Sequence, residues 1–106
     1  MNVLEYLDAA GASPFGRWFN DIDAPAAAKV RVALQRMSQG NLSNAKGVGA
    51  GVLEYRIDSG PGHRIYFGRD GDLLIILLAG GTKQRQQRDI QAAQSRWTDY
   101  RRRKGK

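Results

Sequence analysis

The chain has 106 residues, 42% of them hydrophobic, and a formal net charge of +7. That length suits one core, and that apolar fraction is too high for a disordered segment; the absence of cysteine removes disulfides and thiolate chemistry. The longest apolar run, Leu73 to Ala79, is far shorter than the ~20 residues a membrane-spanning helix needs, and the opening MNVLEYLDAAG lacks the basic lead of a secretory signal, so a cytoplasmic protein is expected.

NVLEYL alternates well enough for a strand, with Val3, Tyr6 and Leu7 as its apolar members. Ser13 then offers an N-cap and Pro14 a first helical position. Phe15, Trp18, Phe19 and Ile22 follow at the spacing of a helix that buries one stripe. Asp23 caps a second helix with Pro25 in its first turn; its stripe is Ala26, Val30, Ala33, Leu34 and Met37, and Gly40-Asn41 ends it. The short connection predicts an antiparallel helical hairpin. NLSNAKGVGAG reads as a loop.

Three strands are expected next. VLEYRI places Leu53, Tyr55 and Ile57 on one face, with Glu54 and Arg56 on the other. HRIYFG sets His63, Ile65 and Phe67 against Arg64 and Tyr66. Asp70-Gly71 is a hairpin turn, and DLLIILLAGG is apolar on both faces, as a central covered strand would be. From about Lys83 to Tyr100 a helix buries Ile90, Ala93 and Trp97, with Tyr100 at the margin. Arg85, Arg88, Arg96 and Asp99 fall on another stripe. The order β-α-α-β-β-β-α predicts an α+β domain over residues 1–100, its helices packed on a small, mainly antiparallel sheet.

All of the charge imbalance lies late in the chain. From Thr82 onward there are nine basic and two acidic residues, whereas the first 81 residues carry eight of each sign. Such a balance points to a polyanionic partner, most often nucleic acid. RRRKGK, residues 101–106, reads as a basic disordered tail.

The familiar catalytic signatures are missing. With one histidine and no cysteine there is no basis for a zinc site, and no other metal or cofactor is expected. GVGAG lacks the Gly-Lys-Ser/Thr of a P-loop and precedes a strand. His63 alternates onto the apolar side, the place of a partly buried structural histidine. What remains is cations on a sheet. Pairing through DSGPG would set Arg56 and Arg64 side by side, a repulsion that water or an anion must relieve. Lys83 and Arg85 follow the central strand to the same end, and Tyr66 is a candidate stacking platform for a base. Arg88 and Arg96 are further candidates for RNA contacts.

The stretch GVLEYRIDSGPGHRIYFGRDGDLLIILLAGGTKQRQQRDIQAA, with Trp97 beyond it, resembles the RelE/ParE superfamily of toxins from type II toxin–antitoxin modules. It is most similar to the HigB-like, addiction-module killer branch; VLEYL and SPF..WF near the N-terminus agree. The resemblance implies a microbial-ribonuclease-like sheet and, for RelE-type members, ribosome-dependent cleavage of mRNA through attack of a ribose 2′-OH on the adjacent phosphate. It assigns Arg56, Arg64 and Lys83 or Arg85 to stabilising phosphoryl charge but leaves the acid and base unassigned, for which Glu54 is the leading candidate base and Lys83 the candidate acid. Some competent relatives carry Tyr or His where this chain has Asp89-Ile90. The alternatives are therefore a non-nucleolytic, ParE-like inhibitor of DNA gyrase or an inactive RNA-binding domain. The implied partners are ribosome-bound mRNA and a cognate antitoxin, often of helix-turn-helix type, through which alone DNA would be reached; no membrane is implied.

Overall fold

The structure, a computed structural model, describes residues 1–58 and 60–105. Strand β1 (Asn2–Glu5) leads to helices α1 (Pro14–Asp21) and α2 (Ala24–Ser38), and then to β2 (Ala45–Gly49), β3 (Val52–Ile57), β4 (His63–Asp70) and β5 (Leu74–Gly81). A single 3₁₀ turn (Lys83–Arg85) opens helix α3 (Gln86–Lys104). The five strands lie in the order β1-β5-β4-β3-β2. Only the β1–β5 pair is parallel, so the α+β class and the mainly antiparallel sheet hold as expected.

The N-terminal helices start where their caps dictate. Ser13 Oγ accepts from Gly16 N–H at 2.9 Å and Asp23 Oδ1 from Ala26 N–H at 2.9 Å, each worth about 1 kcal/mol. Both helices cover one sheet face. There Phe15, Val30, Ala33 and Met37 meet Tyr55, Ile65, Phe67, Ile75 and Leu77. Helix α3 covers the opposite face, where Ala93 and Trp97 meet Tyr6, Val52, Tyr66, Ile76 and Leu78. Strand β5 is interior, between β1 and β4, and covered on both faces as its unbroken apolar run predicts, although β4 holds the centre of the sheet.

Two expectations are corrected. The segment read wholly as loop contains β2, whose Ala45, Lys46 and Gly47 pair with Tyr55, Glu54 and Leu53. Two of its glycines make the β2–β3 turn: Gly49 and Gly51 have φ of 99° and 84°, and a Cβ on Gly51 would lie 2.8 Å from Trp97 Nε1. The basic tail is the other. Helix α3 runs through Arg101–Lys104, because Arg102 and Arg103 each reach Asp99 at 2.6 Å, Lys104 pairs with Asp70, and Arg103 also donates to Leu7 O. Of the expected tail, Lys106 lies outside the described residues, as does Ser59 of the DSGPG connection. No helix among the described residues is long and apolar enough to cross a membrane.

Candidate functional site

Register places the cations. Arg56 of β3 lies opposite Arg64 of β4, and Arg64 lies opposite Gly81 of β5. Side-by-side guanidinium groups repel, and here Glu54 relieves the repulsion. Its Oε1 lies 3.3 Å from Arg56 Nε and 4.0 Å from Lys46 Nζ, and its Oε2 lies 3.5 Å from Arg64 Nε. Gln86, in the first turn of α3, donates to Oε2 at 2.8 Å. Glu54 is 0% exposed and Arg64 5%, so a buried carboxylate answers a buried cation beneath two partly open ones. The Arg56 side chain retains 42% of its exposure and that of Lys46 54%.

The connection before β4 holds Lys83 at this end. Lys83 N–H donates to Pro61 O at 3.4 Å, and Arg64 Nη1 donates to Gly62 O at 2.7 Å. Gly62 has a φ of 74°, and a Cβ there would come within 3.2 Å of Arg64 Nη1 and 3.5 Å of Lys83 Cβ. A side chain would be strained on both counts. Between α2 and the end of β3 runs a groove of about 390 Å³, with Arg36, Asn44, Arg56 and Asp58 among its walls.

The structure thus brings together Glu54, Arg56, Arg64 and Lys83, and adds Lys46 and Gln86. It separates the others. Arg85 and Arg96 line a different cleft on the α1 side of α3, together with Arg17. Arg88 is exposed on α3. His63 is partly buried, 6.2 Å between ring centroids from Trp18. Tyr66 is 0% exposed beneath α3, which corrects its reading as a stacking platform: neither ring face is open. The face expected to be open is roofed by α3, so Glu54 points at cations rather than solvent and Arg64 supports the rim from below.

Three buried polar atoms in this region lack a hydrogen-bond partner: Arg64 Nε, Tyr66 Oη and Asp89 Oδ2. Burial, and then the Glu54 and Asp89 charges, push the Tyr66 hydroxyl well above its ordinary pKa. Burial also raises the Asp89 carboxyl, against the pull of Arg85, Arg96 and Arg88. What the arrangement offers a ligand is positive charge on a pre-organised base. Lys46 and Gln86 escaped the sequence reading because strand β2 did, and because α3 begins with its amide side chain aimed at the sheet. Arg17 escaped because nothing in a helix pattern says what lies across from it. Among the described residues no group of three or more His, Asp or Glu is arranged to hold a metal ion.

No family model matches the chain. It is 38% identical over 80 residues to an uncharacterized protein of Haemophilus influenzae, an alignment spanning 74% of this chain and 81% of that protein. At that identity and coverage, the chain belongs to the same family as the Haemophilus influenzae protein.

Proposed function

We propose that this chain is the toxin of a type II toxin–antitoxin pair in the RelE/ParE superfamily, acting as a ribosome-dependent endoribonuclease on mRNA. The observation that supports the reading best is the Arg56–Arg64 pair, held by one buried carboxylate at the sheet end where Lys83 is seated. In this reading an RNA phosphate lies on Arg56 and Lys83. Attack by the ribose 2′-OH builds charge on the phosphoryl oxygens, which fixed cations stabilise without reorganising. Arg64 is a positioning residue, holding Arg56 through Glu54. A partner covering this rim would be an acidic antitoxin, by charge complementarity.

A specific observation favours a second reading, a non-nucleolytic inhibitor directed at DNA gyrase. Glu54 and Tyr66 are buried, so neither has a path to a substrate hydroxyl. One pair of assays separates the two: mapping mRNA 5′ ends in a translation reaction, and following gyrase supercoiling with the same protein. New mRNA ends with normal supercoiling are expected, and Arg56→Ala should lower cleavage about 100-fold or more. Intact messages with blocked supercoiling would sink the nuclease reading.

A further inference from the structure

Strand β1 accompanies β5 only as far as Leu77, where Tyr6 N–H donates to Leu77 O. Beyond that point no strand among the described residues lies beside the outer edge of β5. A cleft of about 380 Å³ opens there, with α1 on one side and α3 on the other. Arg17 enters from α1, while Arg85 and Arg96 enter from the start and middle of α3. Gly80 and Gly81 lie in the floor, with the Trp18 ring packed on Gly80 and the Asp89 carboxylate on Gly81, so neither position has room for a Cβ.

Three arginines face two aspartates, Asp21 and Asp89, in this cleft. Arg96 Nη1 is anchored on Leu78 O at 2.9 Å, which fixes the guanidinium over the end of the strand. No hydrogen bond or ion pair among the described residues engages the side chain of Arg17 or Arg85. Burial pushes Arg96 below its ordinary pKa, and Arg17 is near enough to push it further, against the opposite pull of Tyr6, Asp89 and Asp8. Asp89 offsets part of the charge by attracting Arg85 and Arg96, while its Oδ2 is buried against Gly81 with no hydrogen-bond partner. Asp21 is exposed at the rim.

We propose that this cleft is a second phosphate site, in which Arg17, Arg85 and Arg96 take a backbone phosphate of a single-stranded RNA. The proposal rests on the RNA reading given above and extends it from one phosphate to a strand. Guanidinium forks arriving from two helices can grip the oxygens of one tetrahedral group from different sides. The cleft also adjoins the first site across the end of β5. Gly81 is in its floor and stands opposite Arg64 in the sheet, and the first turn of α3 divides the two, sending Gln86 to Glu54 and Asp89 to Gly81. A polyanionic strand laid across the end of β5 meets both groups of cations, whereas an isolated carboxylate uses one.

The test is fluorescence anisotropy of a labelled single-stranded RNA with the full chain, over a salt series. The variants are Arg17→Gln and Arg85→Gln in the cleft and Lys83→Gln at the first site, with an oligoglutamate peptide as a second probe. Each cleft variant should flatten the salt dependence by about 0.7 and weaken binding about fivefold at 0.1 M salt, the value of one single-strand phosphate contact. If both cleft variants bind RNA as the wild type does while Lys83→Gln weakens it, the cleft proposal is overturned and the RNA reading stands. If the wild type shows no salt-dependent RNA binding, both fall. Oligoglutamate binding that needs Arg17, beside RNA binding that does not, overturns the proposal in favour of an acidic protein surface.

Discussion

Glu54 shows why one residue at the centre of a basic region matters more than its count in the charge balance. Three cations and one amide converge on it, and it is enclosed. Removing one partner of a buried ion pair leaves the other without compensation, typically at a cost of about 3–5 kcal/mol. Glu54→Gln, which keeps the shape and removes the charge, should therefore lower unfolding stability by about that amount in urea titration. A variant as stable as the wild type would mean that Arg64 finds its compensation elsewhere. Two other carboxylates respond to pH in opposite senses. The Tyr6 hydroxyl first, and Arg102 and Arg103 after it, hold Asp99 down at about 2. Its contribution is complete above the ordinary aspartate value and is lost as pH falls toward 2. Asp89 is raised by burial, so the folded state binds its proton more tightly than the unfolded one and stability falls as pH rises through that interval. Asp89→Asn should then be more stable than the wild type at neutral pH, with the gap closing on acidification; thermal melts at pH 3 and pH 7 measure it. A gap of equal size at both pH values would show that the carboxyl is not raised.

At the scale of elements, helix α3 decides what the site is. Its stripe of Ile90, Ala93 and Trp97 was legible in the spacing, as were both N-terminal caps and the pairing of Arg56 with Arg64. Alternation along a strand tells which side chains share a face, but not whether a helix will lie over them. Glu54, Arg64 and Tyr66 were thus correctly grouped and wrongly left open. Strand β2 was hidden by composition, because the glycines that make its turn also erase the alternation that marks a strand. The end of α3 was hidden by its own charge. Four consecutive basic residues repel one another in isolation, and they are helical here because Asp99, Asp70 and the Leu7 carbonyl accept from them. Arg103 also lies over the Tyr6 ring, 5.1 Å from its centroid. Deleting residues 101–106 should consequently lower the melting temperature, by about 4–8 °C for each kcal/mol of docking lost. An unchanged melting temperature would mean that this turn is solvated decoration.

For the whole molecule, the late excess of positive charge resolves into two populations. Arg102 is spent on Asp99 within α3, while Arg103 and Lys104 tie the helix to the body of the domain through Leu7 O and Asp70. Lys83, Arg85 and Arg88 cluster around the start of α3, at the sheet end where Arg56 is half exposed. The net charge alone would have spread the field along the whole C-terminal quarter. Apart from Arg101, exposed near Arg69, the fold concentrates much of the unspent part at one end, where a polyanion is drawn by a local field rather than by a diffuse one.

The parallel seam between β1 and β5 joins Asn2–Glu5 to Leu74–Leu77, and it sets an order of events as the chain is made. Strands β2 to β5 are linked by short connections and can zip together as a meander soon after they emerge. Strand β1 has nowhere to go until about two-thirds of the sequence has followed it. Closing so long a loop is the slow step in a topology of this kind. Until that seam closes, the outer edge of β5 stays bare along its full length, so a nascent chain of this protein is vulnerable to pairing with a neighbour late in its synthesis rather than early.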